Sequence, residues 1–253
     1  MNLRPDAKID HLERGTLLDD RFEIVEFLGA GSLGEVYRAK QLAFGQTMRE
    51  VAIKLFRVDK VTSDNIHDVF YDVIVLVGLL EDLPALGVAS RLMRVYDIGV
   101  LKTPAPRAFV SMKLIRGKKT LANIIRQRRH GGMRVRTSLG LLRQILTPLA
   151  WMHTLDQPIA HGNIKPGNVL MDEESNLILT DFGLAARLPL GSFGGAIQYQ
   201  APESLQAGEV SASADVYAIG LIWYKMLTGR HPFEAIAAGD VRAFVQAHYR
   251  IRP

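Results

Sequence analysis

Three glycines, Gly29, Gly31 and Gly34, stand between two stretches with the residue make-up of β-strands. Upstream, the run Arg21 to Leu28 suits a strand apart from its paired apolar residues, and the glycines break it. Downstream, Glu35 to Lys40 and Val51 to Phe56 read as two more strands. A strand, a glycine turn and a second strand exclude a dinucleotide-binding unit, which needs a helix directly after its glycines. Two readings stay open. The glycines form a tight hairpin turn, or they let backbone N–H groups lie over phosphates.

Val51, Ile53 and Leu55 alternate with Ala52 and Lys54, so Lys54 shares a strand face with the small Ala52. That face admits a flat apolar base beside a phosphate-binding ammonium; a solvated surface lysine is the alternative. Residues 63–82 read as a helix, with Ile66, Val69, Phe70, Val73, Ile74, Val77 and Leu80 recurring at spacings of 3 and 4. Ser63 is the expected N-cap and Pro84 the expected stop. Leu92–Val100 and Ala108–Leu114 are further strand candidates. After Gly117 the pattern changes, and Thr120–Arg129, Ser138–Leu155, Ala214–Leu227 and Asp240–His248 look helical. The expected class is therefore α+β: a polar leader over 1–20, a strand-rich lobe with one helix over 21–116, and a helical lobe over 117–253. The boundary falls near Ile115–Gly117.

Composition narrows the setting. Apolar residues make up 48% and charged residues 23%, an ordinary globular balance. Cysteine is absent, so disulfides and thiolate metal sites are impossible, and a reducing cytoplasm is expected. The longest apolar run, Val73 to Leu80, falls far short of the roughly 18 residues of a membrane helix. Asp6, Asp10 and Glu13 stand where a signal peptide would be apolar. Net charge is +5, but it belongs to one segment. From Ile98 to Leu155 there is no acidic residue and there are twelve basic ones, reaching from Lys102 to Arg143.

Further on, the chain carries His161-Gly162-Asn163-Ile164-Lys165-Pro166-Gly167-Asn168-Val169-Leu170 and then Asp181-Phe182-Gly183. Tyr199-Gln200-Ala201-Pro202-Glu203 and Asp215-Val216-Tyr217-Ala218-Ile219-Gly220 extend the series. With the glycine loop and Val51-Ala52-Ile53-Lys54 upstream, the set resembles the protein kinase family, nearest the bacterial serine/threonine kinases, from about Arg21 to the C-terminus. The resemblance implies a two-lobed fold with ATP held between the lobes. By motif, Gly29, Gly31 and Gly34 would cover the phosphates and Lys54 would grip them. Asn168 and Asp181 would hold Mg²⁺, and Lys165 would approach the γ-phosphate. Val36, Ala52 and Leu170 would sandwich the adenine. Met112 falls at the gatekeeper position, and the backbone of Lys113 to Ile115 would bond the adenine edge.

The chain departs from the family pattern in one direction. Where active members carry the catalytic aspartate of His-Arg-Asp, it carries Asn163, which cannot accept the substrate hydroxyl's proton near neutral pH. A positioned base is typically worth about 10²–10⁴ in rate. Gly162 replaces the arginine that in many kinases receives an activation-loop phosphate, and Ser192 is the only hydroxyl candidate between Asp181 and the Tyr199 motif apart from that tyrosine itself. Gly195-Ala196 stands where the family often has Gly-Thr, a threonine that braces the loop. The family spacing from the strand lysine to its helix glutamate leads from Lys54 to Val73, which lies in the apolar stripe. Neither Asp72 nor Asp68 replaces the glutamate without a shift of helix register. Family members also continue with helices beyond this chain's Pro253, one bearing an arginine that pairs with the glutamate matching Glu203. An N-terminal piece of a longer protein is therefore expected, with an apparently truncated second lobe.

These features lead to the expectation of an ATP- and Mg²⁺-binding pseudokinase with a regulatory or scaffolding role toward a protein partner or further domains of its own chain. A working serine/threonine kinase with an atypical catalytic loop is the rival. The basic segment is either a solvated face or a contact for an acidic partner or nucleic acid; no aromatic residue accompanies Arg126 to Arg136, which disfavours base stacking.

Overall fold

The computed structural model describes residues 11–58, 61–62, 64–81, 87–102, 105–117, 119–128, 131–182, 197–236 and 241–250. Ser63, Pro84, Gly183, Ser192, Gly195, Ala196 and Asp240, each named above, lie outside the described residues, as do the first ten residues of the leader.

The first lobe is a six-stranded antiparallel sheet: β1 (Leu17–Leu18), β2 (Phe22–Gly31), β3 (Gly34–Ala43), β4 (Gln46–Phe56), β5 (Val95–Leu101) and β6 (Arg107–Lys113), in the order β1-β2-β3-β4-β6-β5. Alternation along the strands gives the sheet two apolar faces. Phe22, Ile24, Tyr37, Val51, Ile53, Leu55 and Phe109 form a closed core on one face. Ala52 and Phe56 join the other core, which runs on into the second lobe. The sheet curls so that its two edges meet. The Lys102 N–H, just past β5, donates to the Asp19 carboxylate at 3.0 and 2.8 Å, and Arg21 pairs with Asp97. The expected leader is tied down from residue 11 onward. The His11 ring stacks on Phe27 at 3.9 Å and bonds Glu35, while the Leu12 N–H donates to the Tyr37 hydroxyl.

Helix α1 (Ile66–Glu81) lies within the expected span and packs through Ile66, Val69, Phe70, Val73 and Leu76. The stripe differs from the sequence reading at one edge. Ile74 is exposed and Leu76 fully buried. At 100° per residue Ile74 sits on the far side of Val73 from Leu76, and the helix is rolled toward Leu76.

The second lobe holds α2 (Leu121–Gln127), α3 (Val135–His153), α4 (Pro202–Ala207), α5 (Ala212–Thr228) and α6 (Val241–Arg250). A small sheet, β7 (Lys119–Thr120), β8 (Val169–Met171) and β9 (Leu177–Leu179), fastens the start of α2 to the loop region. Its strands are too short for any periodicity to announce them. Thr120 caps α2 by accepting from the Asn123 N–H at 3.1 Å, and Ser211 caps α5 by accepting from the Ala214 N–H at 3.2 Å. The approach to α3 is locked to the end of α5. The Met133 N–H donates to the Met226 carbonyl at 2.7 Å. A Cβ on Gly132, whose φ is +67°, would stand 1.8 Å from the Leu227 oxygen. No helix among the described residues is long and apolar enough to cross a membrane.

Near α6, the buried His231 meets Tyr199 edge-on, and Lys225 bonds the Tyr199 hydroxyl. Burial, reinforced by the Lys225 ammonium, pushes the His231 imidazole down to about 4. The unfolded chain binds this proton near pH 6.5 and the folded chain only near 4. Stability is therefore complete above about pH 6.5 and is lost as pH falls toward 4, by up to about 1.4 kcal/mol per unit. Thermal melting between pH 7.5 and 5 is expected to show this slope, and to show less of it in His231→Gln. His161, which burial also holds down, keeps the remainder.

Candidate active site

A cleft of ≈ 460 Å³ opens between the lobes, and all fourteen residues singled out from the sequence line it. From above come Gly29, Gly31, Gly34 and Val36 of the β2–β3 hairpin, with Ala52 and Lys54 of β4. Met112 ends the back wall and leads to Lys113 and Ile115 at the rim. From below come Asn163, Lys165, Asn168, Leu170 and Asp181. Leu28, Met93, Thr120 and Thr180 also line it and were not singled out; each is an ordinary residue type with no local signal.

The hairpin is tighter than the sequence suggested. Strand β2 does not stop at Leu28 but runs through the glycines to Gly31, which pairs with Gly34 across a two-residue turn. The glycines serve different ends. A Cβ on Gly34 would stand 2.0 Å from the Leu55 oxygen, so packing demands glycine there. A Cβ on Gly29 or Gly31 would meet nothing of the protein within 4 Å. Both positions face open space, so packing within the protein does not require glycine there.

The floor hangs from one buried carboxylate. Asp215, on α5, accepts the N–H groups of His161 at 2.7 Å and Gly162 at 2.8 Å, and His153 Nε2 lies 2.9 Å away. Gly162 has φ +70°, which glycine adopts without steric cost. Asn163 follows, its N–H on His161 Nδ1 at 3.3 Å and its carbonyl accepting from Asn168 Nδ2 at 2.8 Å. The Thr180 N–H then bonds the Asn168 carbonyl at 3.0 Å, tying the floor to the strand that delivers Asp181. The Asn163 side chain is buried and its Oδ1 has no partner among the described residues. The sequence reading had assigned Asp215 no task; the signal was a carboxylate inside an otherwise apolar helical run.

Lys54, buried, pairs with Asp181 at 2.8 Å. Burial works against the Asp181 carboxylate, but the Lys54 and Lys165 ammoniums outweigh it and hold the group below its usual range. Burial pushes the Lys165 ammonium down, with Asp181 partly restoring it. Asp181 has φ +62°, a left-handed conformation costing about 1–3 kcal/mol in a non-glycine residue and common at functional sites. Val73 reaches the same neighbourhood. It lines a small cavity of ≈ 30 Å³ behind Lys54, with Phe70, Met112 and Phe182. Helix register is therefore as read from the sequence. Asp68 is exposed, and from α1 it is Val73 that lines the cavity beside Lys54.

The donor set fits a magnesium nucleotide. Asn168 commits its NH₂ to Asn163, which leaves Oδ1 as an acceptor in the cleft that the Asp181 carboxylate also lines. Two hard oxygen donors suit Mg²⁺, which takes few protein ligands and completes its shell with phosphate and water. Two ammoniums, Lys54 and Lys165, complement phosphate charge. At the rim the Lys113 N–H is already spent on the Arg94 carbonyl at 2.8 Å, whereas the Ile115 backbone has no partner among the described residues.

Comparison with known proteins agrees with the two-lobed fold. The family model described as protein kinase domain matches residues 22–251. The chain is 28% identical over 233 residues to serine/threonine-protein kinase PrkC of Bacillus subtilis, covering 90% of this chain and 33% of that protein. It is 29% identical over 225 residues to serine/threonine-protein kinase PknB of Mycobacterium tuberculosis, covering 85% of this chain and 34% of that protein. The chain thus spans about a third of the length of these relatives. The crystal structure of the M. tuberculosis PknI kinase domain shares the fold, with a TM-score of 0.65 at 22% identity over 90% of this chain and 80% of that one.

Proposed function

The chain belongs to the protein kinase family, and from that premise we propose that it is a pseudokinase: an Mg²⁺-ATP-binding domain, inactive or weakly active, with a regulatory or scaffolding role. One observation carries the reading. Asn163 lines the cleft floor together with Lys165 and Asn168, an amide where active members of the family carry the proton-accepting carboxylate. In this reading Asn168 and Asp181 hold the metal, Lys54 and Lys165 the phosphates, and the glycine hairpin covers them. Val36, Ala52 and Leu170 enclose the base under Met112, whose edge meets the backbone at Ile115. Mg²⁺-ATP would supply the transferable phosphoryl group. We also propose the lobe boundary near Ile115–Gly117 and a cytoplasmic setting.

A working kinase is the second reading, and the intact hydrogen-bonded frame around Asp215 favours it. Phosphoryl transfer depends mainly on positioning, so an amide that orients a hydroxyl retains part of the catalysis. Incubation of the purified chain with Mg²⁺ and labelled ATP separates the two. The proposal expects no transfer to itself or to a generic substrate above a trace.

Nucleotide binding is tested apart from chemistry. A ligand at 100 times its Kd stabilises a fold by about 2.7 kcal/mol. In a domain of this size that is a melting shift of roughly 5–10 °C. The shift is expected with Mg²⁺-ATP and is expected to shrink in Asp181→Ala. Its absence in the unmodified chain removes the nucleotide from the proposal.

A further inference from the structure

Glu35 stands between two residues of the cleft wall yet faces away from the cleft. Gly34 and Val36 line the cleft, and alternation turns Glu35 to the far side of β3, where its side chain is 8% exposed. A carboxylate taken out of water costs stability unless it is paired and hydrogen-bonded. Here it draws partners from two places. From the sheet, the Tyr37 hydroxyl donates to Oε2 at 3.1 Å, and the Arg107 guanidinium lies 3.4 Å from the same oxygen. From the segment ahead of β1, His11 Nδ1 lies 2.9 Å from Oε1. The same His11 ring stacks on Phe27 of β2 at 3.9 Å. One side chain from outside the sheet thus touches both arms of the glycine hairpin, β2 shortly before Gly29 and β3 directly after Gly34. The segment that carries it is itself anchored. The Leu12 N–H donates to the Tyr37 hydroxyl at 3.1 Å, and the Gly15 N–H to the Ile24 carbonyl at 2.8 Å. Arg107 also donates to the Leu55 and Phe56 carbonyls at 3.3 and 3.2 Å, on the strand that pairs with Gly34 and Glu35. On the cleft side the hairpin turn is held by Leu33, buried in the main core. All of these contacts lie between described residues of the first lobe.

We propose that His11 and Glu35 are positioning residues: residues 11–16 strap the glycine hairpin from behind and set its height over the phosphates of a bound nucleotide. The inference deepens the nucleotide-binding reading above and rests on it. A hairpin arm with glycines at Gly29 and Gly31 has few side chains of its own to pack, so it lifts at low cost unless something outside the ladder restrains it. The stack on Phe27 and the bond to Glu35 oppose that motion on both arms at once. His11 is 43% exposed, so water competes for its bond and the clasp opens readily. Strap and nucleotide favour the same hairpin position, and each therefore strengthens the other by the same factor. Adenosine has no phosphate for the hairpin turn to cover, and its binding stays outside this coupling.

The chain contains no cysteine, so Ser32→Cys gives a single attachment point for a nitroxide label, in the turn of the hairpin. Spin-resonance spectra of the labelled full chain report hairpin motion on the nanosecond scale, without nucleotide. His11→Ala is expected to make the label more mobile, and so is Glu35→Gln, which removes the charge that His11 and Arg107 meet. His11→Phe keeps the stack alone and should fall between. In unlabelled chains, His11→Ala should weaken Mg²⁺-ATP binding by at least about fivefold, the low end of coupling between sites, and leave adenosine binding unchanged. Arg14→Ala, an exposed change in the same segment, should match the unmodified chain in both measurements. Circular dichroism and melting accompany each variant; His11 is exposed, so its variants stay informative even where a change at the buried Glu35 prevents folding. Unchanged label mobility in His11→Ala overturns the proposal and leaves Leu33 and the ladder as the hold on the hairpin. Unchanged ATP binding in a mobilised hairpin overturns the positioning role. Equal weakening of ATP and adenosine overturns it too, because a general loss of structure then explains both. An unmodified chain that binds neither ligand overturns the nucleotide reading, and with it the role toward phosphate, while the spectra still decide whether the strap restrains the hairpin.

Discussion

Asn163→Asp alone is expected to leave phosphoryl transfer within about tenfold of the unmodified chain, although a positioned base is worth about 10²–10⁴. The second defect explains the shortfall. Lys54 has Val73 behind it and Asp181 in front, and its ion pair with Asp181 at 2.8 Å ties the lysine to the residue that must hold the metal. A lysine without an independent tether places the phosphates loosely, and a misplacement of about 1 Å can cost around 100-fold. Val73→Glu supplies the tether from α1, freeing Asp181. The double variant should therefore exceed the product of the single effects, by about 10²-fold or more over either alone, because the groups act as a unit. A time course of labelled phosphate transfer reads this directly. Since the new glutamate enters a cavity of only ≈ 30 Å³, melting must be followed alongside. Strong turnover in the unmodified chain would contradict the pseudokinase reading and mean that Asn163 orients the hydroxyl well enough without accepting its proton.

Asp215→Ala is expected to have the largest effect on the fold. Asp215 is 1% exposed and holds two backbone N–H groups and the His153 ring. Alanine leaves those donors buried and unpaired, at about 1–3 kcal/mol each. A total near 4 kcal/mol lowers the melting midpoint by roughly 10 °C. The loss also reaches the site, because Asn163, Lys165 and Asn168 are carried by the loop that Asp215 suspends. The nucleotide-dependent melting shift should shrink with it. Asp215→Asn keeps the shape and one acceptor oxygen and should fall between. Equal melting of the alanine variant and the unmodified chain would show that the loop is held by other means.

Both predictions rest on partly different sources. The site residues were legible because each motif is short and its members share one loop or strand. The glycine hairpin needs only a few neighbouring residues to form, and the loop from His161 to Asn168 delivers four cleft residues from one short stretch. The face of Lys54 followed from period-2 alternation, and the inward position of Val73 from the helical stripe. Where the reading slipped, a neighbour from elsewhere in the chain decided the outcome. Strand β2 runs through its glycines because Ala30 and Gly31 find partners in Glu35 and Gly34. Ile74 and Leu76 exchanged roles because the roll of α1 depends on what it packs against, which periodicity alone leaves open by one residue to either side.

The sequence by itself determined the family, the two-lobed order of strands and helices, the residues of the cleft and the absence of a carboxylate at Asn163, since all of these are properties of residue type and local spacing. Only the tertiary structure decided that Lys54 pairs with Asp181, that Asp215 suspends a loop more than fifty positions earlier in the chain, and that His11 reaches Glu35 behind the glycine hairpin. Those are long-range outcomes. Which carboxylate meets which ammonium, and which segment lies behind which hairpin, depend on the surfaces that folding buries together, and no stretch of neighbouring residues encodes that choice.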